Sequence, residues 1–151
     1  MAKKFKFTLE TLKKYRAQRL LLAKKDLALI NARFNDLMLR IEVCNTEAKL
    51  ALDDALTVGK RAMDFLLGAS LHESARLAKK NLSGELELVQ KELDRHQEWV
   101  THLSRELKAV EKLEERQRER YNKEIVTKEK QNMDAWVAER WGHSPMSRIQ
   151  K

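Results

Sequence analysis

The chain is poor in residues that interrupt or staple a fold. Its 151 residues include one Cys, one Pro and four Gly, and aromatics make up 6%. One cysteine excludes an intramolecular disulfide framework and fits a reducing, cytoplasmic setting. With so little Pro and Gly, there are few places for a helix to stop. No apolar run has the length of a membrane span or the form of a secretory signal. The four histidines are His72, His96, His102 and His143. Di-iron bundles need Glu three residues before His, but those positions hold Ala69, Leu93, Trp99 and Arg140. The scattered glycines form no phosphate-cradling loop. No carboxylate pair stands out as acid and base, and Cys44 has no positioned base. Neither a catalytic site nor a metal or cofactor is expected.

What the chain has in abundance is charge, 36% of residues, and apolar side chains at helical spacing. From residue 20 to 69 an alternating three-four step lands on an apolar residue every time. The positions are Leu20, Ala23, Leu27, Ile30, Phe34, Leu37, Ile41, Cys44, Ala48, Ala51, Ala55, Val58, Ala62, Phe65 and Ala69. Such a heptad seam describes a long helix that must find a partner helix. A second seam runs Leu71, Ala75, Ala78, Leu82 and, in a new register, Leu86, Val89, Leu93, His96, Val100, Leu103, Leu107 and Val110. His96 is expected to form a polar layer that fixes register.

The break signals predict where the helices begin and end. Thr8 can cap the first helix, with Phe7 and Leu12 as its hydrophobic staple. Gly68 followed by Ser70-Leu71-His72-Glu73, a full capping-box pattern, predicts a break, and Asn81-Leu82-Ser83-Gly84 predicts another. The expected fold is all-α: one coiled-coil domain, 1–151, built as a long antiparallel two-helix hairpin with a short helical element at its tip. Its first long helix covers about 8–67, its tip segment about 70–82, its second long helix about 84–141, and a flexible tail 142–151. Nearly equal arms set Ala48, Ala51 and Ala55 opposite His96–Leu103, Tyr15 near Trp136, and Leu9 near Trp141.

Charge is distributed unevenly. Residues 1–25 hold nine Lys/Arg and one acid, Glu10, so this end carries the whole net charge of +8. Positive charge at a helix N-terminus opposes the macrodipole, so helix stability does not account for it; an acidic partner surface would. No aromatic residues interleave these lysines in a way that suits base stacking, and nucleic acid is not expected as a partner.

The two ends together resemble the FliJ family of flagellar type III export proteins. Phe5-Lys6-Phe7-Thr8-Leu9-Glu10-Thr11-Leu12, followed by Arg16, is similar to that family's F-x-F-x-L-x-x-L start. Gln131-Asn132-Met133-Asp134-Ala135-Trp136-Val137-Ala138 resembles its Met-Asp-Glu-aromatic-Ala region, with Ala135 where Glu is frequent and Val137 in place of Ala. The resemblance implies a non-catalytic component of the export apparatus, cytoplasmic and peripheral at the cytoplasmic face of the inner membrane. It would insert into the hexameric export ATPase like a rotary-ATPase stalk, and contact an export gate membrane protein and export chaperones. The residues matched to the ATPase end are Phe7, Lys13, Lys14, Arg16, Met133, Asp134, Trp136 and Trp141. Those matched to the gate-binding tip are Leu71, Ala75, Ala78 and Leu82. The alternative is a basic coiled-coil scaffold or a nucleic-acid-associated protein.

Overall fold

A computed structural model describes residues 3–57, 59 and 61–142. They form two α-helices, α1 (Glu10–Ala55) and α2 (Ala62–Gly142), which pack against each other; among the described residues there is no strand. The expected class, all-α with two long antiparallel helices, is the one observed. Contacts divide the chain into two compact units rather than a single one. Unit 1 joins residues 1–17 to 105–151, and unit 2 is residues 18–104.

Unit 2 is a helical hairpin. Its α1 strip buries or half-buries Leu20, Ala23, Leu27, Ile30, Phe34, Leu37, Ile41, Cys44, Ala48, Ala51 and Ala55, the expected seam up to that point. Arg19 lies over the Trp99 ring at 5.4 Å, and Arg33 pairs with Glu85 at 3.2 Å. His72 Nδ1 stands 3.0 Å from the Ala48 carbonyl oxygen. As one partner number rises the other falls, which is the antiparallel sense. A carbonyl can only accept, so this His72 nitrogen carries the proton.

Helix α1 ends twelve residues earlier than expected. The Leu56 and Thr57 amides still donate backward, to Leu52 and Asp54, and Gly59 then turns the chain with φ +91°. Asp53 and Asp54 also place acids at the negative end of the helix dipole, which weakens continuation. Helix α2 restarts at once: Arg61 O accepts from the amides of Asp64 and Phe65, and Asp64 supplies a first-turn acid. Ala62, Phe65 and Ala69 therefore belong to an exposed surface of α2, not to the α1 seam. Val58 lies outside the described residues.

Neither expected break after Gly59 exists. Residues 70–82 form no separate tip element; they are the early part of α2, and Asn81–Gly84 is helical throughout. Gly68 serves helix approach instead of helix termination. A Cβ there would sit 2.6 Å from Ala55 Cβ and 3.1 Å from Ala51 O. The true α2 seam starts with buried Gly68 and half-buried His72 and Ala75, and reaches Leu82 and Leu86 in unbroken three-four steps through exposed Lys79. Leu71 and Ala78 lie beside it. The register shifts accordingly: Ala48 faces His72, and Ala55 faces Gly68, instead of His96–Leu103. His96 is a half-buried seam position, as expected.

Unit 1 pairs the start of α1 with the later part of α2. Helix α1 begins at Glu10, and Leu9 O accepts from the Lys13 amide, so Thr8 is not its cap. The Thr8 hydroxyl instead lies 3.4 Å from the Gln117 side chain. Lys13 pairs with Glu114, which also binds Arg118, and Arg16 donates to the Glu106 carbonyl at 3.0 Å. These contacts put Lys13 and Arg16 themselves in the seam. Tyr15, bracketed by them, is in register with the stretch between Glu106 and Glu114, not with Trp136. Ahead of the helix, Phe7 is buried and Phe5 meets Tyr121 at 5.4 Å. Gly142 closes α2; the rest of the expected tail, 143–151, lies outside the described residues.

Candidate partner-binding surfaces

The residues matched to the ATPase end separate into two groups. Phe7, Lys13 and Arg16 are spent inside unit 1. Phe7 is 8% exposed, Lys13 is held by Glu114, and Arg16 by a backbone carbonyl. The Lys13 pKa is raised, first by its hydrogen bond to the Glu114 carboxylate and then by nearby acidic charge. Lys14 is exposed. Met133, Asp134, Trp136 and Trp141 lie on the last turns of α2, where every residue from 126 to 142 is exposed. The two groups are not brought together, because residues 7–16 pair with 106–121.

A helix with no exposed interior face normally buries its apolar stripe. The last five turns of α2 do not. Trp136 is 55% exposed and Trp141 75%, with Met133, Val126 and Val137 beside them. Arg140 lies over the Trp136 ring at 4.8 Å, a cation–π contact that orients the ring without covering it. Large exposed aromatics of this kind are the usual anchors of protein interfaces. Val126 was not singled out from the sequence; its seven-residue spacing from Met133 was the available signal.

Charge reinforces the distinction. Unit 1 contains 18 Lys/Arg against 10 Asp/Glu, whereas unit 2 contains 13 of each. The whole excess of +8 therefore lies in the unit that presents the exposed tryptophans. Neutralising an acidic partner is the chemistry this arrangement can perform.

The residues matched to the gate-binding tip do come together, but along the flank of the unit 2 hairpin. Leu71, Ala75 and Ala78 line a groove of about 650 Å³ with Cys44, Leu50 and Asp54 of α1. Leu82 lines the adjoining groove of about 500 Å³ with Leu39, Val43 and, again, Cys44 and Ala78. Leu50, Val43 and Leu39 were missed from sequence because they stand off the seam. At the turn itself, Leu56, Met63, Phe65, Leu66 and Leu67 are exposed.

Among the described residues no group of three or more His, Cys, Asp or Glu is placed to hold a metal ion. No described helix is long and apolar enough to cross a membrane. No family model matches the chain, and neither a curated protein nor a solved structure matches it.

Proposed function

We propose that this protein is a non-catalytic stalk that couples a type III export ATPase to the export gate. The observation that carries the reading is the coincidence, in unit 1, of the whole positive excess with exposed Met133, Trp136 and Trp141. A ring pore lined with acidic and apolar groups is a surface these residues would fit. The resemblance of both chain ends to the FliJ family supports the same assignment. The groove along Leu71, Ala75, Ala78 and Leu82 is the corresponding docking place for the gate protein, and export chaperones are further partners.

The mechanism is allosteric. A rod without symmetry, seated in a six-fold ring, contacts the subunits unequally and so favours different nucleotide states in them. The contribution of this chain is binding energy and asymmetry, with no bond made or broken by its own side chains. In this reading it works at the cytoplasmic face of the inner membrane.

Adding the full chain to a purified export ATPase is expected to raise hydrolysis and favour ring assembly, and Trp136→Ala with Trp141→Ala is expected to abolish both effects. An unchanged rate and unchanged assembly would overturn the stalk assignment. The basic excess of unit 1 also suits phosphate backbones, so duplex DNA binding across a salt series tests the scaffold reading. Tight binding with a steep salt slope would favour it.

A further inference from the structure

The two grooves beside Cys44 form one trough on the unit 2 hairpin. Cys44 and Ala78 line both, so the groove of about 650 Å³ at the turn end runs into the one of about 500 Å³ beyond it. Small side chains make the floor: Cys44, Ala51, Ala75 and Ala78. Larger ones, Leu39, Val43, Leu50, Leu71 and Leu82, make the walls. From residue 39 to residue 54 the α1 side extends roughly 22 Å, about four helical turns.

Spacing on the α1 wall narrows the kind of chain that fits. Leu22, Leu29, Val43 and Leu50 stand at multiples of seven residues on one line along α1, and their exposure runs from 54% to 70%. This column is separate from the seam that packs on α2, whose members Leu20, Leu27, Ile41 and Ala48 each lie two residues before it. Its one polar member, Asp36, is held by Arg40 at 3.1 Å. A helical surface that repeats every seven residues is matched by another helix, which has the same repeat. An extended peptide, at about 3.3 Å per residue, falls out of step with it. Charge adds a second constraint. Glu47 and Asp54 stand exposed on the rim of the turn-end groove, opposite neutral Ser74 of α2. Glu47 makes no ion pair among the described residues. An acidic rim disfavours an anionic lipid or a phosphate backbone and favours basic side chains.

We propose that the trough binds one amphipathic α-helix of a partner protein, apolar at three-four steps along one face and basic where that face comes level with Glu47 and Asp54. Its apolar side chains enter between Leu50 and Leu71 and between Val43 and Leu82, over the floor of small residues. Its basic side chains meet the acidic rim. Leu29 and Leu22 let a longer helix continue along α1 past the trough. The product is a three-helix packing in which Cys44 is fully covered. The inference rests on the gate-docking reading of this groove only for which protein supplies the helix. The helical form, its basic flank and the part played by Leu39, Val43, Glu47 and Leu50 come from the hairpin itself.

Fluorescence anisotropy of the full chain with a dye-labelled synthetic helix tests this. The probe has about 18 residues, with leucine at alternating three-four steps and lysine on the flanks. Saturable binding is expected, and Cys44, the single thiol of the chain, should react about tenfold more slowly with a thiol reagent in the complex. A probe with glutamate in place of each lysine should bind about tenfold more weakly, and Glu47→Lys should narrow that gap. Leu50→Asp and Val43→Asp should each weaken the lysine probe about tenfold, whereas Leu66→Glu at the turn should leave it unchanged. All three replaced residues are exposed, and an unchanged helical circular dichroism spectrum confirms folding of each variant. No binding by about 1 mM probe would overturn the proposal. So would equal binding of the two probes, or binding that leaves Cys44 as reactive as before. Protection of Cys44 that rises with chain concentration in the absence of probe would make a second copy the occupant, and would overturn it too. No export component is present in these assays. Failure here leaves the stalk assignment standing, and failure of the ATPase assay leaves the trough as a helix-binding site.

Discussion

At the scale of single residues, glycines show how one side chain can serve opposite ends. Gly68 is pressed against Ala55 and Ala51, whereas nothing lies within 4 Å of where a Cβ would stand on Gly84. Gly68→Ala is therefore expected to destabilise the protein by about 1–3 kcal/mol, since the atoms it meets are a Cβ and backbone that cannot rotate away. Gly84→Ala should stabilise it by about 1 kcal/mol through helix propensity alone. Urea denaturation of the two variants checks the opposite signs. Gly59→Ala belongs with the first, because φ +91° strains any side chain. Lys13 provides a test by pH. Its folded pKa lies above the ordinary lysine value because Glu114 holds the charged form. A raised pKa contributes stability that is fully present below the unfolded value and is lost as pH rises through the folded one. Lys13→Met should therefore flatten the alkaline limb of the stability–pH profile and leave the neutral range changed only by lost pairing.

At the scale of the helix, seams are set by who packs against whom, not by apolarity alone. The α1 seam was legible from Leu20 to Ala55 because nearly every layer there is an alkyl, aromatic or alanine side chain. The α2 seam was legible from Leu82 to Val110 for the same reason. Legibility failed around the turn. There the packing residues are Gly68 and His72, one without a side chain and one polar, while the more hydrophobic Leu71 stands beside the seam. A glycine that lets helices approach looks, in sequence, like a glycine that ends one. Gly59 was overlooked because apolar spacing ran on across the turn by coincidence, and the whole register moved with it. Hydrogen exchange along α2 should follow the packing. Amides near Val89, Leu93 and Leu103 are expected to be the slowest, and those from 126 to 142, where every side chain is exposed, the fastest. Uniform protection along α2 in a dilute monomer would contradict this account of which turns are packed.

At the scale of the whole molecule, the two units differ in chemistry more than in fold. Unit 2 is neutral and holds apolar grooves beside Cys44; unit 1 carries the net charge and the exposed Trp136 and Trp141. That Met133, Trp136 and Trp141 lie on one helix was readable beforehand from their spacing; that they stand exposed was not. Phe7, Lys13 and Arg16 were marked as surface by their position and charge, yet they form the inside of unit 1. Sequence alone does not reveal that a lysine and an arginine fill seam layers when an acid and a carbonyl on the facing helix satisfy them. The account's central claim is that unit 1, basic as a whole, docks on an acidic partner, the export ATPase, through the exposed far end of α2. Trp99→Phe leaves Trp136 and Trp141 as the only fluorophores of their kind, and titrating this variant with purified ATPase reads their burial directly. A saturable blue shift that weakens as salt is raised is predicted; an emission spectrum unchanged at saturating ATPase would contradict the claim.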